Sequence, residues 1–243
     1  MQATAAKIGY SETVFAAPEG DRWRVRYFAP TMEIPFCGHA TIALGAALAT
    51  GRGDGVFPLR LNRGWMSVEG HRAGNLYAAA FQSPPTRSQP AAAATLAEAL
   101  DLFSCSKDDL DERLPPAFIE AGARHLLLGL RSRATLAAMR YDLEEGAQLM
   151  RELGLATISL VHSENSALFH ARNPFAAGGV YEDPATGAAA AALAGYLRAL
   201  HWPHRGVIEI RQGDDMRVPC RLRAEIPLKV GAAVKVSGTV RPI

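Results

Sequence analysis

Polar and apolar residues follow one another in short blocks along most of this chain, and two longer apolar blocks interrupt the pattern. Residues 22–28 (RWRVRYF) alternate charged and apolar side chains, which is the period of a half-exposed strand. Similar blocks bounded by turn residues predict further strands. These strands are 13–15, 56–61, 65–69, 76–82, 118–121, 125–130, 158–162, 167–173, 207–212, 221–226 and 234–240.

The two longer blocks begin at Gly38 and Gly187 and are rich in alanine and leucine, which favour helices. Each follows an acidic residue and a proline. A helix that is apolar on every side is buried, and its first N–H groups are unpaired, which favours an anion. Two such helices far apart in sequence predict two similar halves. If the two helix starts face each other, they form one anion-binding cleft lined by Cys37, His39 and Asp183.

The order of the predicted elements indicates the fold class and the division of the chain. Other helices are predicted at 91–102, 133–141 and 143–153, with a helix end at 1–8. Residues 83–90 (SPPTRSQP) are the most loop-like segment, so we divide the chain into halves 1–108 and 109–243. Each half has strands, a buried helix and more strands. This order predicts an α+β fold in which a curled, mostly antiparallel sheet wraps a central helix in each half.

Composition excludes several classes of function. The net charge of +2 over 243 residues has no basic stripe, so no nucleic-acid partner is expected. No apolar run reaches the roughly 18–20 residues that span a bilayer, so no membrane partner is expected. The three cysteines are widely spaced, which indicates free thiols in a reducing compartment and predicts a cytoplasmic protein. No glycine-rich phosphate loop is present, so the sequence supports no nucleotide cofactor.

The polar turns before the two helices carry the candidate chemistry. At a helix N-terminus the dipole should keep His39 neutral, able to donate a hydrogen bond to a substrate oxygen; a purely structural turn histidine is the alternative. The same position should lower the pKa of the Cys37 thiol. The other histidines lack ligand spacing and are interpreted as surface or turn residues, so no metal is predicted.

Proton transfer could use either thiols or carboxylates. A racemase with two thiols would need a second cysteine at the turn before the second helix, and this chain has none there. Carboxylates therefore remain, since one beside apolar walls can have a raised pKa and carry a proton near neutral pH. Glu33 and Glu182 are interpreted as solvated or capping groups. The residue pattern does not decide whether Glu12 is the proton carrier.

An ordered set of motifs is similar to a known family. Residues 11–15 (SETVF), 36–41 (FCGHAT) and 183–187 (DPATG), with the Gln212-Gly213 pair, Met216 and the closing VKVSGT at 234–239, resemble the phenazine-biosynthesis PhzF-like family. That family is structurally related to diaminopimelate epimerase. The resemblance spans nearly the whole chain and implies a cofactor-independent isomerase. Such an enzyme moves a proton between carbon positions of a small carboxylic acid.

The resemblance also implies roles for individual residues. Glu12 falls on the acid/base glutamate of the family, and His39 and Asp183 fall on residues that orient the substrate. Gly38 and Gly187 match glycines whose turns expose N–H groups to the ligand. Together with these glycines, the helix start places the N–H groups of Thr186 and Ala188 at the expected substrate-binding position.

Differences from the family pattern define the remaining expectations. Members usually have several dozen residues before the Ser-Glu-Thr motif, so the first half is expected to lack its opening strands. Ala188 stands where some members have serine, which removes a donor to a substrate carboxylate. Related proteins are commonly homodimers, so a homodimer is expected. Two alternatives stay open: an amino-acid epimerase or racemase, and a catalytically silent relative that only binds a small acid.

Overall fold

The computed structural model describes residues 1–62 and 64–241. Within these residues the two expected apolar helices form, and the helix after Gly187 has its residues from Gly187 to Arg198 buried. The described α-helices are α1 (Gln2–Ile8), α2 (Gly38–Arg52), α3 (Ala93–Leu102), α4 (Arg133–Ala137), α5 (Leu143–Leu153) and α6 (Gly187–Ala199).

The strands agree closely with the alternating blocks of the sequence. They are β1 (Thr13–Glu19), β2 (Arg22–Phe28), β3 (Glu33–Ile34), β4 (Gly55–Arg60), β5 (Trp65–Ala73), β6 (Leu76–Gln82), β7 (Arg87–Pro90), β8 (Ala117–Glu120), β9 (Arg124–Leu130), β10 (Thr157–Ser163), β11 (Leu168–Phe175), β12 (Val180–Asp183), β13 (Val207–Gln212), β14 (Cys220–Glu225) and β15 (Lys235–Val240).

The strands form one continuous, mixed sheet. Its order is β1-β2-β4-β5-β6-β15-β14-β13-β11-β10-β9-β8-β7, with β3 beside β2 and β12 beside β11. Most neighbours are antiparallel, as predicted. The parallel pairs are β2 with β4, β9 with β10 and β11 with β13. The α+β fold with two curled halves is therefore confirmed.

Each central helix packs against its own part of the sheet. Helix α2 lies on β5 and β6, and α6 lies on strands of the other part, including β7, β8 and β14. Helix α2 packs closely against β5. A Cβ added at Gly70 in β5 would lie only 2.2 Å from the carbonyl oxygen of Gly45 in α2. The last strand, β15, pairs with both β6 and β14 and so joins the two parts. The division at residue 108 stays a prediction.

The core has two layers around the second part of the sheet. Alternate residues of β9 illustrate this arrangement, because Leu127 packs in the cluster that contains α2 and α6. Leu126 and Leu128 instead face the cluster built by α3, α4 and α5. The inner face of β9 to β11 is therefore the one that faces the central helices.

Some element boundaries were predicted incorrectly. The segment interpreted as a loop contains strand β7, which pairs with β8. All four residues of β7 are exposed, so the strand has no apolar pattern, and Pro90 is tolerated at an edge. Helix α4 ends at Ala137 rather than Tyr141, and the next helix begins at Leu143 after its cap, Asp142, which accepts from the N–H groups of Glu144 and Glu145. Across residues 1–62 and 64–241, every helix is too short or too polar to cross a membrane.

Candidate active site

The N-termini of α2 and α6 touch each other through two glycines. A Cβ added at Gly38 would lie 2.6 Å from the Cα of Gly187 and 2.9 Å from the backbone nitrogen of Ala188. Neither position can therefore carry a side chain without separating the helices. The first N–H groups of a helix have no partner within it, so donors from both helices come together here. The expectation that the Thr186 N–H is free is wrong, because it donates to Oε1 of Gln212, and the Gly187 N–H donates to the carbonyl of Ala185. On the α6 side, the N–H of Ala188 is left without a partner among the described residues. The two helix starts thus face one shared cleft, as the sequence predicts; that this cleft binds an anion stays a prediction.

Three ionisable side chains meet at this junction. The Nε2 of His39 lies 3.3 Å from Oε2 of Glu12, and its Nδ1 lies 3.4 Å from Oδ1 of Asp183. The side chain of Glu12 is 4% exposed and that of Asp183 is 2% exposed. Glu12 immediately precedes β1, while Asp183 ends β12. The fold therefore brings together residues separated by about 170 positions, in the arrangement that the motifs predict.

A cavity of about 410 Å³ opens from the junction. Its wall includes all the predicted site residues: Glu12, Gly38, His39, Asp183, Thr186, Gly187 and Ala188. The remainder of the wall comes from both parts of the sheet and is mainly apolar, with Met32, Ile34 and Phe36 on one side and Leu155 and Phe175 on the other. The cavity is large enough for a small organic acid.

The carboxyl of Glu12 has a pKa close to neutral pH. Burial raises its pKa to about 7, and the negative charge of Asp183 acts in the same direction. His39 and hydrogen bonds from Ser11 and Cys37 oppose this shift. A group with this pKa can both take up and release a proton at pH 7, which a carboxyl with an ordinary pKa does poorly. The structure thus favours Glu12 among the carboxylates.

Two sequence-based expectations about ionisation are wrong. Burial alone would lower the pKa of His39, but the negative charges around the ring raise it well above its usual value, so the ring is not held neutral. Burial also raises the pKa of the Cys37 thiol to about 12, and Glu12 reinforces the shift. For Cys37, burial and the charge of Glu12 outweigh the helix N-terminus. For His39, burial acts in the same direction as the helix N-terminus, and Cys37 and the carboxylates of Asp183 and Glu12 outweigh both.

A hydrogen-bond network holds the turn that carries Asp183. The carboxylate of Asp183 accepts from the Thr186 hydroxyl at 2.7 Å and from the backbone N–H of Ala185 at 3.3 Å. The side chain of Gln212 spans the turn, since its Nε2 donates to the carbonyl of Asp183 at 2.6 Å and its Oε1 accepts from the N–H of Thr186 at 3.0 Å. Gln212 is part of the family pattern, and the structure gives it this positioning contact.

The two other acidic residues near the turns form ion pairs. The interpretation of Glu182 as a solvated or capping group is wrong, because it is buried and pairs with Arg172 through several contacts, the shortest 2.5 Å. Arg172 also donates to backbone carbonyls at the end of α4. Glu33 pairs with Arg26 at 2.6 Å. Neither glutamate is among the residues that line the cavity.

One further histidine belongs to the cavity wall and was missed. His125 was interpreted as a surface or turn residue, but it is 1% exposed and lines the cavity together with Thr157. Its Nδ1 lies 2.8 Å from the Thr157 hydroxyl. The apolar run that follows His125 in β9 signals burial, although it does not reveal the polar partners, which come from neighbouring strands.

Three side chains could also hold a metal ion. Ligand atoms of Glu12, Cys37 and His39 all lie within 4.8 Å of one another. Metal ligands must be deprotonated, whereas the pKa values of Cys37 and His39 are both raised. A metal ion would therefore have to displace the protons of the Cys37 thiol and the His39 ring. Because both groups hold their protons tightly, these three side chains are poor metal ligands. That no metal binds stays a prediction.

Comparison with known proteins identifies the family. The family model described as phenazine biosynthesis-like protein (PhzC-PhzF) matches residues 1–241. The chain belongs to the PhzC-PhzF family. The trans-2,3-dihydro-3-hydroxyanthranilate isomerase of Pseudomonas aeruginosa is 33% identical over 256 residues, which cover 98% of this chain and 84% of that protein. The family and this relative confirm the prediction that the chain is an isomerase.

Solved structures share the fold of this PhzC-PhzF chain. A predicted epimerase from Pseudomonas aeruginosa matches with a TM-score of 0.85 and 26% identity, over 99% of this chain and 86% of that one. A hydroxyproline epimerase from Agrobacterium vitis matches with a TM-score of 0.65 and 10% identity, over 95% of this chain and 72% of that one. The second likeness concerns the fold alone, and it supports the epimerase-like architecture.

Proposed function

We propose that this PhzC-PhzF isomerase moves a proton between two carbon atoms of a small carboxylic acid, without a cofactor, and that Glu12 carries the proton. The observation that supports this most directly is the buried Glu12 carboxyl, with its pKa near 7, on the wall of the cavity where two helix N-termini meet. Free N–H groups of α2 and α6 would hold the substrate carboxylate.

Glu12 and His39 have different roles in the proposed reaction. Ionised Glu12 takes a proton from one carbon, so that the C–H bond breaks and its electron pair moves into the conjugated system of the substrate. The protonated ring of His39, held by Asp183, stabilises the negative charge that develops. Glu12 then returns the proton to a second carbon, where a new C–H bond forms, and the enzyme is ready for another cycle.

The class of substrate follows from the relative and from the cavity. The Pseudomonas relative is named for trans-2,3-dihydro-3-hydroxyanthranilate, a compact cyclic acid that a cavity of about 410 Å³ can hold. We therefore propose this compound, or a cyclic acid of similar size, as the first substrate to test. A mechanism with two thiols is disfavoured because burial raises the pKa of Cys37 and the facing turn has Pro184 in place of a cysteine.

The test combines proton exchange with ligand binding. In D2O, wild-type protein should convert the compound and introduce deuterium at carbon, detected by NMR. Glu12→Gln keeps the shape of the side chain but cannot transfer the proton, so turnover and exchange should fall about 10²–10⁴-fold. Binding of the non-reacting aromatic acid 3-hydroxyanthranilate should persist, as measured by calorimetry.

Glu33→Gln is the matched control. It makes the same chemical change nearby, but Glu33 lies outside the cavity wall and pairs with Arg26 on the surface. Its activity should stay close to that of wild type. If Glu12→Gln retained wild-type exchange, the assignment of Glu12 would be wrong; if wild type bound ligands without any exchange, the protein would be a binder rather than an enzyme.

The proposal also covers the oligomeric state and the cellular location of the protein. A homodimer in the cytoplasm fits the family resemblance and the unpaired thiols. Light scattering at micromolar protein concentration tests the first part, and a monomer would contradict it.

A further inference from the structure

Three hydrogen-bonding side chains lie side by side on the inner face of the sheet beneath the cavity. They are His125 in β9, Thr157 in β10 and Asn173 in β11, with exposures of 1%, 3% and 1%. His125 and Thr157 are direct partners in the parallel pairing of β9 with β10. Both also line the cavity that contains Glu12. The mechanism above uses none of these three residues.

Their hydrogen bonds determine which ring nitrogen of His125 carries the proton. With the Asn173 amide oriented so that Oδ1 faces Thr157, the Thr157 hydroxyl donates to that oxygen at 3.3 Å. A hydroxyl has one proton to give, so at its other contact Thr157 accepts, and the Nδ1–H of His125 donates to it at 2.8 Å. The remaining ring nitrogen, Nε2, then carries a lone pair and acts as an acceptor.

This acceptor has no partner within the described part of the chain. Nε2 of His125 is buried and makes no hydrogen bond with residues 1–62 or 64–241. Burial lowers the pKa of His125 to about 3, so the ring stays neutral and keeps its lone pair at physiological pH. A buried acceptor without a partner is costly. On a cavity wall, however, a bound molecule can supply the missing donor.

We propose that Nε2 of His125 accepts a hydrogen bond from a hydroxyl or amino group of the bound acid, which makes His125 a specificity-determining residue. The inference rests on the proposed function, because the two helix N-termini hold the carboxylate of the same ligand. The cavity then recognises two features of its ligand: an anionic group at the helix junction and a donor group near β9. The favoured class is a hydroxy or amino cyclic acid rather than an unsubstituted one.

The experiment compares four ligands with three proteins. Benzoate has no donor substituent, anthranilate adds an amino group, 3-hydroxybenzoate adds a hydroxyl, and 3-hydroxyanthranilate carries both. Calorimetry gives the affinity of each for wild type, His125→Asn and His125→Gln. The amide nitrogen of an Asn side chain can take the place of Nδ1 and keep the bond to Thr157, whereas a Gln side chain can reach the position of Nε2.

In wild type, ligands with the correct donor should bind about 2- to 12-fold more tightly than benzoate, as one net hydrogen bond contributes. His125→Asn should lose this gain while its affinity for benzoate is unchanged, and His125→Gln should recover part of it. The unchanged benzoate affinity shows that the cavity is intact. Comparing anthranilate with 3-hydroxybenzoate identifies which donor is recognised.

A second measurement does not depend on any variant folding correctly. In 15N-labelled wild-type protein, the His125 ring should show a protonated Nδ1 and an unprotonated Nε2, and the Nε2 signal should shift when a donor-bearing ligand binds. A protonated Nε2, or equal discrimination by wild type and His125→Asn, would overturn the proposal. Intact discrimination without any D2O exchange would overturn only the proposed catalysis. If the wild type bound none of the four acids, both proposals would be wrong.

Discussion

The contact between the two helix N-termini makes Gly38→Ala the most informative perturbation of the fold. The added Cβ would lie 2.6 Å from the Cα of Gly187 and 2.9 Å from its carbonyl carbon. Non-bonded carbons pack at about 3.5–4.0 Å, so the helices must separate by about 1 Å. The opposing atoms are backbone atoms of a buried helix and cannot rotate away. Overpacking of this kind costs about 1–3 kcal/mol.

The same displacement should impair catalysis more strongly than stability. In the proposed mechanism, N–H donors from both helices hold the substrate carboxylate, and a misplacement of about 1 Å can reduce the rate by about 10²-fold. We therefore expect Gly38→Ala to lower kcat/KM by about that factor. The melting temperature should fall by about 2–4 °C per kcal/mol for a domain of this size. Calorimetry and steady-state kinetics measure the two effects.

Gly51→Ala is the matched control in the same helix. A Cβ at Gly51 would meet no atom within 4 Å, so the only change is the higher helix propensity of alanine. This substitution should stabilise the protein by about 0.5–1 kcal/mol and leave kcat/KM unchanged. If Gly38→Ala were as stable and as active as wild type, the two helix starts would not be in contact and the cleft would be wrongly described.

Four further predictions follow from the site. The acidic limb of the kcat/KM profile should have an apparent pKa near 7 rather than 4.5, because Glu12, the proposed base, must lose its proton as pH rises. Cys37→Ser should keep activity within a few-fold of wild type in the same assay, since the buried thiol is protonated at pH 7. Glu182→Gln should destabilise the protein by about 3–5 kcal/mol in urea unfolding, because it leaves Arg172 buried without its partner. Prolonged treatment with EDTA should not change the rate; a loss restored by a divalent ion would contradict the assignment of Glu12.

The ordered motifs already contained most residues of the candidate active site. Glu12, His39 and Asp183 each lie in a short polar turn beside an apolar element, and the family resemblance gave them roles. Their meeting at distances of 3.3–3.4 Å agrees with that prediction. The local pattern sufficed because each turn is adjacent to its own helix or strand start, so its position depends on neighbouring residues.

The protonation states of Cys37 and His39 could not be predicted in the same way. Sequence assigns Cys37 and His39 to a helix N-terminus, and the dipole there favours a thiolate and a neutral imidazole. Burial prevails at the Cys37 thiol, whereas at His39 the neighbouring Cys37 and the carboxylates of Asp183 and Glu12 prevail, and those carboxylates approach from other parts of the chain. A pKa depends on the full three-dimensional surroundings of a group, which no local pattern contains.

The sequence by itself determined the periodic elements, the two buried helices and the residues at their starts, since each of these depends on neighbours along the chain. Tertiary structure alone decided which partners meet across the sheet: the pairing of Glu182 with Arg172, the strand character of residues 87–90, and the row of His125, Thr157 and Asn173. These contacts depend on strand order and register. Both follow from the packing of the whole sheet around α2 and α6, and not from any single segment.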